Sequence, residues 1–249
     1  MKAYREVVNQ LQALKLRGVS MGIDELITEA ETQKQSYLSF LHQVLTQELE
    51  DKAERKYRRS ISAAHFPIKK SIEEFNFGRV KGITKSRISQ LLDFAWIDRK
   101  ENVLFFGPPG LGKTHLSIAL GFEAVVKGYS VCFERVSGLM KILKTADIQR
   151  SSGFRLKRIL KSDLLIIDEI GYTPIERREA NLFFNLVSEM YEKQSIIITS
   201  NKSFSVWAEM MGDEVMTTAM LDRLLHHANI FTLTGESYRL SKRKEVEAV

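Results

Sequence analysis

A single cysteine among 249 residues, Cys132, leaves this chain no disulfide and no cysteine-built metal centre. It lies in the apolar run Ser130 to Phe133 and reads as a core residue. Prolines number only four, and no internal repeat or low-complexity tract appears. With 44% hydrophobic and 27% charged residues, the composition is that of a globular chain of one large or two modest domains. No apolar stretch approaches the length of a membrane span, and Met1 to Glu6 lack the apolar block of a signal peptide, so a cytoplasmic protein without membrane contact is expected. Acidic residues are outnumbered, giving a formal net charge of +6. That excess suggests an anionic partner, although many enzymes are mildly basic for other reasons.

The most informative stretch that is present runs from Gly107 to Thr114. Gly107, Pro108, Pro109, Gly110, Leu111, Gly112, Lys113 and Thr114 fit the phosphate-loop pattern G-x-x-x-x-G-K-[ST]. The context agrees: Val103 to Phe106 is strand-like, and Leu116, Ala119, Leu120 and Ala124 fall at helical spacing behind the loop. Three glycines let the backbone curl so that successive N–H groups point inward at phosphate oxygens. Lys113 would reach the β- and γ-phosphates of ATP, and Thr114 would offer its hydroxyl to Mg²⁺. The helix N-terminus adds partial positive charge. His115 completes the nucleotide-binding stretch, with a side chain better suited to packing than to catalysis.

Residues 1–70 read as helical throughout, with Val7, Leu11 and Leu14, then Leu26 and Ile27, then Leu38, Leu41, Leu45 and Leu49 at three- and four-residue steps. Pro67 disfavours the helical conformation at Phe66, which places a linker there and a domain boundary at 70. Over 71–249, apolar runs at 103–106, 130–133, 163–167, 195–199 and 229–233 alternate with helical segments. The runs are continuous, as in parallel strands buried on both faces. The expected fold is therefore α/β with a parallel sheet, preceded by a small all-helical domain. Between the second and third runs lie two helical pieces, near 139–143 and 154–160, where an ordinary crossover needs one.

Three further constellations could carry chemistry. Leu164 to Ile167 lead into Asp168 and Glu169, two carboxylates at the carboxyl edge of a buried strand. Asp168 suits a direct or indirect Mg²⁺ ligand, and Glu169 suits a base that polarises the attacking water. Asn201, with Thr199 and Ser200, ends the next strand, where it would contact the γ-phosphate or its water, or else cap the following helix. Arg223 sits on a helix whose Met220, Leu221, Leu224 and Leu225 turn inward; spacing alone favours a solvated or locally paired arginine. His226 and His227 have no third ligand at metal spacing. Gly235 to Arg239 follows the last strand, and spacing says little about it.

Taken together, these motifs resemble the AAA+ ATPases of the initiator and helicase-loader clade, in order and spacing, across roughly residues 75–249. The resemblance implies Walker A roles for Lys113 and Thr114, Walker B roles for Asp168 and Glu169, and sensor 1 for Asn201. It implies that Arg223 serves a neighbouring subunit's ATP in a homo-oligomer with sites at subunit interfaces, and that Arg239 is a sensor 2 equivalent. The second helical piece corresponds to the clade's nucleic-acid-lining helix. Within the clade, Leu14 to Arg17, Ala53 to Lys56, Phe66-Pro67 and Phe75 to Phe77 are similar to the IstB family over nearly the full chain. That family assists IstA-type transposases of insertion sequences. One departure is the expected lack of a C-terminal lid, since about fifteen residues follow the last strand; Arg239 then cannot be a lid arginine.

Arg150, Arg155, Lys157, Arg158 and Lys161 form one acid-free basic cluster, and Arg79, Lys81, Lys85 and Arg87 another. Lys52, Arg55, Lys56, Arg58 and Arg59 make a third basic face. Such residues give duplex affinity without sequence information. Phe75 and Phe77 suit adenine packing and core packing equally. The expected function is ATP-dependent assembly on duplex DNA in support of a transposase, with ATP and Mg²⁺ as cofactors. The rival is a DnaC-like helicase loader acting on single-stranded DNA.

Overall fold

The computed structural model describes residues 2–171 and 175–238. The chain divides into two compact units, Met1–Arg59 and Ser60–Val249, so the division falls inside a helix, ahead of the expected boundary at 70. The helix outlasts the division because its last turns belong to the second unit: Ala64 is buried in that unit's core and Ile61 packs against it.

The first unit contains α1 (Lys2–Ala13), α2 (Arg17–Thr32) and most of α3 (Tyr37–Ala64). Val19, Ile23 and Leu26 of α2 are buried, with Val8, Leu11, Ile27, Phe40 and Val44 packed around them. Glu48 of α3 accepts from Gly18 N at 2.8 Å and Val19 N at 3.3 Å, and its charge complements the N-terminus of α2. Gly18 allows this approach, since a Cβ there would lie 2.6 Å from Asp51 Cβ. The expected leucine periodicity is helical, but Leu38, Leu41, Leu45 and Leu49 lie exposed along α3.

The second unit continues with β1 (Val80–Lys81), α4 (Lys85–Gln90), α5 (Ala95–Asp98), β2 (Asn102–Phe106), α6 (Lys113–Val126), β3 (Val131–Arg135) and α7 (Val136–Thr145). It proceeds through α8 (Arg150–Ile159), β4 (Leu164–Ile170), α9 (Arg177–Met190), β5 (Ser195–Ser200) and α10 (Trp207–Met211). It closes with α11 (Glu214–Leu225), β6 (Ala228–Thr232) and β7 (Thr234–Gly235). The five long strands form a parallel sheet in the order β3-β4-β5-β2-β6. Side-chain alternation explains why their sequences carry no polar period. Val103 and Phe105 point into one core with α6, while Leu104 and Phe106 point into the other with α7, α9 and α11. The two helical pieces between the second and third apolar runs are α7 and α8. Cys132 is buried, and desolvation raises its thiol pKa, in keeping with a core role.

Local signals set the helix starts. Asp213 accepts from Met216 N at 2.9 Å to cap α11, and Glu176 with Glu179 forms a capping box on α9. No described helix is long and apolar enough to cross a membrane.

Candidate nucleotide site

The phosphate loop leaves β2 at Phe106, turns through Gly107 to Gly112, and enters α6 at Lys113. Gly112 has φ +82, and a Cβ there would lie 2.5 Å from the Phe75 ring. Gly107 has φ +138, and its Cβ would lie 2.1 Å from Leu233 O. These two positions are barred to other residues by conformation and by space together. Lys113 Nζ donates to Gly107 O at 2.6 Å and Pro108 O at 2.8 Å, so the ammonium lies along the inner curve of the loop. The side chain of His115 is turned aside, with Nε2 2.7 Å from Ser71 O. Its backbone N–H lies in the first helical turn, among the donors that a helix leaves unsatisfied.

Asp168 stands on β4 at the same carboxyl edge, fully buried. Its Oδ1 accepts from Thr114 Oγ1 at 2.8 Å and Thr199 Oγ1 at 2.6 Å, which joins the loop helix, β4 and β5 at one atom. Its Oδ2 is buried and has no hydrogen-bond partner among the described residues, and the same holds for Asn201 Oδ1. Asn201 therefore does not spend its side chain on capping; the following 3-10 turn is preceded by Ser203 and has no side-chain cap.

Glu169 has φ +68, a left-handed conformation unusual for a non-glycine residue and worth about 1–3 kcal/mol of strain. The strand register shifts there, between Ile167 and Ile170. Thr199 Oγ1 accepts from Glu169 N at 3.0 Å and so fixes this bend. The displaced side chain leaves the core and meets Arg135 at 3.6 Å. Neither the bend nor Arg135 is expected from sequence. A third unexpected neighbour is the chain after β6: β7 pairs with β1, Tyr238 N donates to Gly110 O at 3.0 Å, and Ser237 lies against Gly110. Ser237 and Tyr238 thus lie on the phosphate loop, while Gly235 pairs with Val80. Arg239 lies outside the described residues, as does the segment that bears on the expected absence of a lid.

Phe75 is buried against Gly112, edge-on to Phe77 at 4.7 Å and to His115 at 5.6 Å, so it supports the loop from the core side. Arg223 lies at the other edge of the sheet. Leu224 O accepts from Asn102 Nδ2, and Asn102 begins β2, five residues and about 16 Å before the phosphate loop. The Arg223 guanidinium donates to Ala219 O at 2.6 Å and covers the Phe184 ring at 5.2 Å.

The basic cluster on α8 divides. Arg150, Lys157 and Lys161 are exposed and Arg158 is half-buried, with Phe154 exposed beneath the Arg150 guanidinium. Arg155 differs from the other four: it points inward, pairing with Glu134 at 2.5 Å and donating to Ala63 O and Phe133 O, both at 3.2 Å. Three of the five N–H donors of this guanidinium are thereby engaged, by a largely shielded carboxylate and two carbonyls. Burial and the Arg155 charge together lower the pKa of neighbouring His65. On α3, Arg55 is tied to Glu48 and Asp51 and Arg58 to Glu54, so that basic face is partly neutralised.

A phosphate loop beside two carboxylates and a polar strand end, on a parallel sheet of this order, defines an ATP-binding protein of the AAA+ class. Solved structures agree on the fold: DnaI superposes with a TM-score of 0.56 at 18% identity, over 67% of this chain and 92% of that one. The DnaC helicase loader gives 0.52 at 20% identity, over 71% and 99%. The chain belongs to the family of IstB-like ATP-binding proteins, whose profile matches residues 9–246. It is 43% identical to the ATP-binding protein of insertion sequence IS5376 from Geobacillus stearothermophilus, over 86% of each chain. It is 41% identical to that of IS21 from Pseudomonas aeruginosa, over 94% of this chain and 89% of the relative. It is thus an AAA+ ATP-binding protein of the insertion-sequence helper family.

Proposed function

We propose that this chain hydrolyses ATP with Mg²⁺ at interfaces between its own copies, assembles on duplex DNA when ATP is bound, and serves an IstA-type transposase. The observation that carries the reading is a pair of buried oxygens without partners among the described residues: Asp168 Oδ2, whose fellow oxygen accepts from Thr114, and Asn201 Oδ1, next to Ser200, which accepts from Gly107 N. An unsatisfied buried polar atom costs about 1–3 kcal/mol, so two of them beside a phosphate loop fit a site completed by its ligand. Thr114 and Asp168 would hold Mg²⁺, an all-oxygen donor set suited to that ion. When bound, Mg²⁺ neutralises charge on the β- and γ-phosphate oxygens.

The protein's own groups would divide the remaining work. Lys113 would exchange its two loop carbonyls for phosphate oxygens, and the N–H groups from Gly110 to His115 would line the anion. Glu169 would accept a proton from the water that attacks the γ-phosphorus, and Asn201 would orient that water. Arg223, at the far edge of its own sheet, would act on the ATP of a neighbouring copy. A sensor 2 role for Arg239 rests on the family resemblance. Arg150, Lys157, Arg158 and Lys161 on α8 are the proposed duplex contacts. The link to a transposase rests on the insertion-sequence origin of the relatives.

The site is tested by comparing two variants. Lys113→Ala is expected to lose ATP affinity, whereas Glu169→Gln keeps affinity within about threefold and loses at least about 10²-fold in kcat, as befits a general base. Nucleotide affinity by fluorescence titration and single-turnover hydrolysis separate the two. Equal loss of affinity in both would contradict the role of Glu169.

A further inference from the structure

The paired histidines, His226 and His227, take no part in the nucleotide site, and sequence spacing offers them no third ligand. The fold supplies one. α9 ends in a turn in which Lys193 N donates to Met190 O at 3.0 Å, Tyr191 has φ −52 and ψ 128, and Glu192 has φ +57. These are the dihedrals of a type II turn, whose third position favours glycine. Glutamate there holds its carboxylate against the end of α11. One ligand atom from each of Glu192, His226 and His227 lies within 4.8 Å of the other two.

Neighbouring residues on a helix diverge by about 100°, so adjacent histidines ordinarily face apart. Here α11 stops at Leu225, and the chain turns into β6 at Ala228, which brings the two rings to 4.0 Å. The turn is fixed from below by the buried Asn102. Its N–H donates to His227 O at 2.7 Å, its Nδ2 to Leu224 O at 3.0 Å, and its Oδ1 accepts from Ile196 N at 2.9 Å. Tyr191 Oη lies 2.8 Å from His226 Nδ1, so one of the two ring nitrogens is already engaged. A hydrogen-bond partner on the far ring nitrogen sets the tautomer of a metal-ligating imidazole.

We propose that Glu192, His226 and His227 form a transition-metal site, separate from the nucleotide site, that takes Zn²⁺ or a cation of similar preference. Two imidazoles and one carboxylate are a known zinc donor set, with a fourth position left to water. Ligand atoms around zinc lie about 3.4 Å apart, so side-chain rotations on an anchored backbone would close the cluster. Magnesium, which prefers oxygen and keeps its waters, does not compete for such a set. Glu192 and His227 also border a small cavity with Arg223, and a cation held by both histidines would pin the end of α11. The site itself does not depend on the reading of ATP hydrolysis.

The test uses untagged full-length protein without nucleotide, in excess Mg²⁺, titrated with Co²⁺ as a spectroscopic probe and with Zn²⁺ by calorimetry. The expected result is one saturable equivalent with the intense visible absorption of four-coordinate Co²⁺, displaced by Zn²⁺. Glu192→Gln and His227→Ala should each weaken binding at least about tenfold, and Tyr191→Phe about tenfold. ATP affinity equal to wild type shows that the variants are folded. Zn²⁺ should raise the Tm of the wild type and not of His227→Ala. Absence of saturable binding, or binding unchanged in both ligand variants, would overturn the proposal.

Discussion

At the scale of single residues, Glu169 is the most revealing. Its backbone is held in a left-handed conformation, and its carboxylate meets Arg135 rather than the phosphate loop. That ion pair is half-exposed, with side chains 58% and 37% accessible, so releasing it costs less than about 1 kcal/mol. The pair can hold the proposed base aside without trapping it. Arg135 ends β3 and leads directly into α7, which packs on α8. Arg135→Ala is therefore expected to raise ATP turnover severalfold if Glu169 acts as proposed. Steady-state hydrolysis measures this; unchanged turnover would remove Arg135 from the control of Glu169.

At the scale of elements, α8 separates two kinds of arginine that look alike in sequence. Arg155 is 11% exposed and paired with a carboxylate only 14% exposed, so Arg155→Ala leaves Glu134 buried and uncompensated. A loss of about 3 kcal/mol in unfolding free energy is expected by chemical denaturation, with an unchanged salt slope of DNA binding among the folded molecules. The double change Lys157→Ala with Arg158→Ala should do the reverse, leaving stability within about 0.5 kcal/mol. It should also flatten the slope of log affinity against log salt by about 0.9 for each DNA phosphate that is no longer neutralised. If Arg155→Ala behaved like the double variant, its inward placement would be wrong. The strands were legible because Leu164 to Ile167 and Ile196 to Ile198 are buried on both faces and need no polar alternation. The phosphate loop was legible because eight consecutive residues carry it. Arg155 was not, since a charge run reads the same whether a member turns outward or finds a carboxylate on another strand. Glu169's bend and Glu192's reach to the histidines depend on register and long-range contact, which local spacing does not encode.

At the scale of the whole molecule, Arg223 and the phosphate loop occupy opposite edges of one sheet. A catalytic role for this arginine then requires a second copy of the chain. Mixing tests it: Arg223→Ala and Lys113→Ala proteins, each inactive alone, should regain part of wild-type hydrolysis when combined, at interfaces that join an intact loop to an intact arginine. No recovery in demonstrably mixed assemblies would mean that Arg223 works only within its own chain.

The central claim, an ATP-dependent assembly on duplex DNA, meets its most direct test in competition binding. The Glu169→Gln protein with ATP would be titrated with labelled duplex at fixed salt against unlabelled duplex or single strand of equal length and unrelated sequence. Duplex of any sequence is predicted to compete well and single strand poorly, and binding is predicted to collapse when ATP is omitted. A clear preference for single-stranded DNA would contradict the claim and favour a helicase-loader role.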